Sequence, residues 1–185
     1  EWLAQSSYFP MPYAEPKGFA PLEDYAKKYR GTASYLKFDR KTGQIVVGES
    51  FQVELPPYFQ DMSILGRGIS EGWMFINSIN TEMATGGVEK GNPPFEAGVS
   101  KRDMDYLHII DWKKAEQIVK AGKVEVINGF KVLKLDTAVK EGAIWFIPEP
   151  KSPHGVAVTP DGELVVVAGK IDPHVTIYSP AQMKS

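Results

Sequence analysis

Three histidines, His108, His154 and His174, and a few carboxylates at predicted strand ends are the residues of this 185-residue chain best equipped for chemistry. There is no cysteine, so disulfides, thiolate metal sites and a cysteine nucleophile are excluded within the segment. His154 stands apart because of its neighbours in Ser152-Pro153-His154-Gly155. Proline stiffens the approach to the imidazole, and glycine lets another group come close to the backbone. An imidazole held this way suits copper, zinc, iron or nickel. Spacing alone leaves two readings open, a metal ligand or an ordinary packed strand residue. His108 lies inside a predicted strand, 106–110, and reads as a packed or edge residue. His174 follows Asp172-Pro173 and reads as a surface residue at a strand start.

The carboxylates form a second constellation. Glu82 closes one predicted strand, and Asp103 and Asp105 open the next, on either side of the Gly- and Pro-rich loop 83–100. If those strands are neighbours, Glu82 and Asp105 meet at one sheet end. Two carboxylates plus loop carbonyls make a hard, all-oxygen site suited to Ca²⁺; solvated strand-end acids are the alternative. No Ser-His-Asp order, P-loop or dinucleotide fingerprint is present. Gly66-Arg67-Gly68 has no following helix and therefore does not form a phosphate cradle.

The elements that must position these groups are mostly strands. From residue 148 to 178 an alternating run follows His154, then the turn Thr159-Pro160-Asp161-Gly162, a second strand near 164–168 and a third at 175–178. This is how one blade of a β-propeller reads. Upstream, strands are expected at 35–38, 44–47 and 51–55, one or two helical turns at 58–65, and a buried strand at 72–78. Asp111 is a plausible N-cap for a helix over 112–121 with Gly122 beyond its end. Asn128-Gly129 is the strongest hairpin signal in the chain. Residues 1–32 form a Pro- and aromatic-rich arm with no regular strand before Leu22 and a short helix at 22–30. The predicted fold is all-β, a partial β-propeller over 33–185 with short helical insertions. A complete propeller needs at least four blades of roughly forty residues, so the chain reads as a piece of a longer protein. With 21 basic and 23 acidic residues and a net charge of −2, it carries no footprint for nucleic acid. No apolar run reaches membrane-spanning length.

Several motifs in order sharpen this reading: Leu55-Pro56-Pro57-Tyr58, Gly72-Trp73, Asn77-Ser78-Ile79-Asn80-Thr81-Glu82-Met83, Asp103-Met104-Asp105-Tyr106, the helix beginning Trp112-Lys113-Lys114-Ala115-Glu116, and Lys151-Ser152-Pro153-His154-Gly155. Together they resemble the catalytic propeller of the nitrous oxide reductase family, especially its second clade. The resemblance runs from about Tyr25 onward. It implies two to three blades of a seven-bladed propeller that holds a tetranuclear copper–sulfide cluster on histidines from different blades. It further implies reduction of N₂O to N₂ and water in denitrification, with a dinuclear copper centre in a C-terminal cupredoxin domain outside this chain. A periplasmic homodimer fed by a cytochrome or cupredoxin donor is also implied. His154 matches the cluster histidine of the family's PHG motif. Glu82 and Asp105 match its calcium carboxylates. Ile79 stands where the family binds calcium through a carbonyl, Ser152 where many members have Asn, and Val99 where a further carbonyl is expected. The alternative is a non-enzymatic propeller of the YVTN or lactonase-like type, whose blade repeat the C-terminal stretch shares.

Overall fold

The computed structural model describes residues 1–79, 105–149, 153–170 and 173–184. Strands dominate it, arranged in three sheets with short helices between them, as the alternating patterns predict. Among the described residues the sheets do not close into a ring.

The first sheet has the order β1-β2-β4-β9-β8, with β3 on the end of β2. Its strands are β1 (Trp2–Ser6), β2 (Gly31–Asp39), β3 (Gln44–Ile45), β4 (Phe51–Leu55), β8 (Glu125–Ile127) and β9 (Phe130–Leu133). Two features depart from expectation. β1 is a regular strand within the arm, antiparallel to β2 from Trp2↔Lys37 to Ser6↔Ala33. The arm's first proline is Pro10, so nothing in residues 1–6 removes a ladder donor. β4 and β9 run parallel, Phe51↔Lys131 to Val53↔Leu133, which an up-and-down blade does not contain. β8 and β9 are joined at Asn128 (φ 50°) and Gly129 (φ 83°), the left-handed pair that a tight hairpin turn requires. The predicted helix at 22–30 is a 3₁₀ turn, Leu22–Asp24, leading into one α-turn, Tyr25–Lys28.

The second sheet is a four-stranded antiparallel meander, β10-β7-β6-β5: β5 (Phe59–Leu65), β6 (Trp73–Ile79), β7 (Asp105–Asp111) and β10 (Ile144–Glu149). Every residue of β6 is buried, because sheets pack on both of its faces. The helical turns expected at 58–65 are instead β5. Its ladder with β6 shifts between Gln60↔Ser78 and Ser63↔Ile76. One extra residue on β5 therefore breaks the period-two alternation and imitates helical spacing.

The third sheet is the predicted hairpin and return strand, β11 (Pro153–Val158), β12 (Val165–Gly169) and β13 (Val175–Tyr178). The core lies in two layers. Tyr35, Phe51, Leu55, Met74, Ile76, Ile110 and Leu133 fill the space between the first two sheets. Trp73, Phe75, Leu107, Ile109, Val158, Val165 and Val167 fill the gap between the second and third. Burying each of these larger side chains contributes about 1.5–3 kcal/mol.

The helix Trp112–Lys120 caps the first layer. The Asp111 carboxylate accepts the Lys114 N–H at 2.9 Å, a cap that stabilises by about 1 kcal/mol. Ala115, Ile118 and Val119 face inward. Gly122, at φ +79°, ends the helix while the Lys123 N–H reaches back to the Ile118 carbonyl at 3.3 Å, the six-to-one closure of a glycine-ended helix.

One end of the gap between the second and third sheets is clamped by backbone. The Ile69 N–H donates to the Asp161 carbonyl at 3.1 Å. A Cβ on Gly68 would lie 1.8 Å from that carbonyl oxygen, and one on Gly162 1.7 Å from the Arg67 carbonyl oxygen. The Gly66-Arg67-Gly68 loop is therefore where the turn of the next sheet docks.

Candidate metal centre

The opposite end of the same gap is polar, and His154 lies there. In the β11–β12 ladder Pro153 pairs with Gly169 and Gly155 with Ala168. His154 is thus the extra residue of a bulge, outside the regular pairing. Asp61 occupies the bulge of β5 described above. Bulges bend a strand and re-aim the side chains they carry. Here the two meet: the His154 Nδ1 is hydrogen-bonded to the Asp61 carboxylate. A carboxylate only accepts, so Nδ1 carries the proton, and in the neutral ring Nε2 is the lone-pair nitrogen.

The burial of the pair is unequal. The His154 side chain is 57% exposed and that of Asp61 only 8%. Asp61 is a buried anchor, and the imidazole it holds is largely exposed. A metal-bound histidine is usually held in this way, its second nitrogen donating to a carboxylate that fixes tautomer and orientation. The backbone beside the ring is fixed as well. Asn77, fully buried in β6, donates from Nδ2 to the Gly155 carbonyl at 2.9 Å.

Asp105 opens β7 and is 1% exposed. Directly across the ladder stands Glu149, at the end of β10 and 8% exposed. Opposed residues of an antiparallel pair project from the same face. Leu107 and Ile109, two and four residues after Asp105, belong to the layer facing the third sheet, so both acids point into that gap. Burial, reinforced by the Asp105 charge, pushes the Glu149 carboxyl up to about 8, and nearby Tyr178 offsets this a little. The Tyr178 hydroxyl donates to the Pro148 carbonyl at 3.4 Å, and its own pKa is raised by burial and by Glu149. Ile79 ends β6 at the same end of the sheet and is buried. Glu82, Val99 and Ser152, the other expected calcium ligands, lie outside the described residues, as does Asp103. Among the described residues no three His, Asp or Glu side chains converge closely enough to hold a metal ion by themselves.

The remaining histidines sit apart. His108 is fully buried between the Tyr58 and Phe146 rings, at 6.1 and 5.1 Å between centroids, and among the described residues neither ring nitrogen has a hydrogen-bond partner. Burial lowers its pKa to about 3, so it is neutral at ordinary pH. The Tyr58 and Phe146 rings, with Pro56, Tyr106 and Val139, line a cleft of about 530 Å³, which contains none of the expected site residues. His174 is exposed next to β13.

Part of this chain is similar to nitrous-oxide reductase. The enzyme of that name from Pseudomonas fluorescens is 30% identical over 86 residues, 44% of this chain and 14% of its own length. That from Stutzerimonas stutzeri is 31% identical over 80 residues, 41% of this chain and 12% of its own. The similarity supports a relation to those oxidoreductases through a small part of their length. No family model matches the chain. Among the described residues no helix is long and apolar enough to cross a membrane.

Three residues of this polar end escaped the sequence reading. Asp61 fell in a stretch with helical spacing, and its bulge becomes visible only in the pairing with β6. Asn77 lies in the predicted strand 72–78, where nothing marks it as a buried tie to β11. Glu149 lies in no motif, although a glutamate between Pro148 and Pro150 after an apolar strand is a signal of a kind.

Proposed function

We propose that the chain is part of a copper-dependent nitrous-oxide reductase, in which His154 is one ligand of a tetranuclear copper–sulfide cluster. In the same reading Asp105 is a ligand of a calcium ion nearby, together with Glu82, Ser152 and the carbonyls of Ile79 and Val99. The observation that carries the proposal is the meeting of two bulges, Asp61 on β5 and His154 on β11, which leaves one imidazole nitrogen free on a fixed ring. A structural histidine needs no such arrangement. The partial similarity to two nitrous-oxide reductases supplies the chemical class.

The residues fit a soft metal centre. A neutral imidazole is a good copper ligand, and the buried carboxylate behind it orients the ring. The cluster, when bound, would supply several copper centres that bind N₂O and deliver two electrons, so that with two protons N₂ and water are formed. This chain's own contribution is positional. Asp61 keeps the Nδ1 proton in place and the ring oriented, Asn77 fixes the strand that carries the ring, and the Gly68–Gly162 contact holds the two sheets in register at the far end. One histidine does not assemble a cluster, so the remaining ligands come from blades beyond this segment. Residues 1–32 add the edge strand β1 and a covering arm to the propeller unit 33–185. Electrons reach the whole enzyme from a cytochrome or cupredoxin through a dinuclear copper centre in a cupredoxin domain of a periplasmic homodimer.

The test is made in the intact enzyme. His154→Ala is expected to lower both copper content per chain and N₂O reduction, with the fold retained by circular dichroism. Unchanged copper content and turnover in that variant would overturn the assignment.

A further inference from the structure

We infer that Glu149, a residue no motif of the sequence marks, is built to hold a hard divalent cation jointly with Asp105. The inference rests on the calcium reading given above for Asp105 and adds a carboxylate to it. The two acids are directly opposed across the β7–β10 ladder and point into the same gap. Both oxygens of Glu149 are shut off from solvent, and among the described residues neither has a hydrogen bond of good geometry, the nearby Tyr178 hydroxyl donating to the Pro148 carbonyl. The residue as a whole is 8% exposed and Asp105 1%.

Buried carboxylate oxygens without donors are rare, because desolvation is costly unless hydrogen bonds or a cation replace the lost water. The Asp105 carboxylate opposite Glu149 also repels it when both are ionised. A cation of the Ca²⁺ class removes both penalties together. It takes six to eight oxygen ligands, accepts carboxylates in one- or two-oxygen modes, and tolerates irregular geometry. Strand ends are suitable places for it, since carbonyls released from the ladder complete such a shell.

The experiment is calorimetric titration of the intact, chelator-stripped protein with CaCl₂, comparing wild type with Glu149→Gln and Asp105→Asn. Glutamine keeps the size of Glu149 and removes its charge. Near-UV circular dichroism checks folding, and Glu149→Ala provides a second variant if the glutamine perturbs it. Because ligand charge count tunes Ca²⁺ affinity, Glu149→Gln is expected to weaken binding by roughly tenfold or more. It should also abolish most of the rise in melting temperature that CaCl₂ gives the wild type. If Glu149→Gln binds Ca²⁺ as the wild type does while Asp105→Asn does not, the inference on Glu149 falls and the calcium reading of Asp105 stands. If the wild type itself takes up no Ca²⁺ at millimolar concentration, both fall together.

Discussion

The side-chain amide of Asn77, in the centre of the second sheet, donates to the backbone carbonyl of Gly155, the residue after His154, at 2.9 Å. This bond joins positions 78 residues apart and fixes where β11 begins relative to β6. Removing it leaves the Gly155 carbonyl without its buried donor, a loss of about 1–3 kcal/mol. Asn77→Ala should accordingly unfold at lower denaturant and bind copper less completely than wild type. Equilibrium unfolding and metal analysis on the same preparation check both.

Asp61→Asn tests the anchor behind the imidazole. The amide keeps the size of the carboxylate and loses its charge, so the Nδ1 proton is held less firmly. Loss of a carboxylate partner behind a metal-bound histidine typically costs about 10–100-fold in metal affinity or activity. Copper retention under competition with a chelator should fall by that order while stability changes little. Equal retention in the two proteins would mean that Asp61 does not serve the ring.

His108 predicts an acid limb of the stability curve. Its folded pKa is lowered to about 3, against an ordinary value of about 6.5 in the unfolded chain. Between those values the unfolded state binds a proton that the folded state refuses, so stability falls as the pH drops below about 6.5 and is flat in this respect above it. The slope from this one group approaches 1.4 kcal/mol per pH unit. His108→Phe should flatten that limb, read as the pH dependence of the denaturation midpoint from 7 to 4.

Gly68 offers a test of the far clamp. Its φ of +53° disfavours any side chain, and a Cβ would collide with the Asp161 backbone. Gly68→Ala is expected to destabilise by about 2 kcal/mol or more, since strain and overpacking act together. If thermal unfolding shows less than about 0.5 kcal/mol, the loops are not locked together.

Much of the architecture could be read from residue patterns. Trp73–Ile79 is apolar on both faces because sheets lie on both sides of it, and the helix from Trp112 announces itself by Asp111 in front and Gly122 behind. The His154 hairpin carries its turn residues in plain order. What stayed hidden depends on pairing between distant segments. Phe59, Met62 and Leu65 are spaced by three and so mimic a helix, although only Phe59 of them is buried. β1 is invisible without its partner at residues 33–37. Asp61 and His154 stand 93 positions apart, and the parallel pairing of β4 with β9 spans nearly as much chain.

That parallel pairing also constrains the order of assembly. β4 ends at Leu55 and β9 begins at Phe130, and the chain between them contributes β5, β6, β7 and the helix Trp112–Lys120. Closing a loop of that length costs entropy before any contact rewards it, whereas the β5–β6 meander and the β11–β12 hairpin are local and form early. The first sheet is therefore the last to be completed. In refolding experiments the signal from Trp2, packed on Phe51 and Trp112, should lag behind that from Trp73.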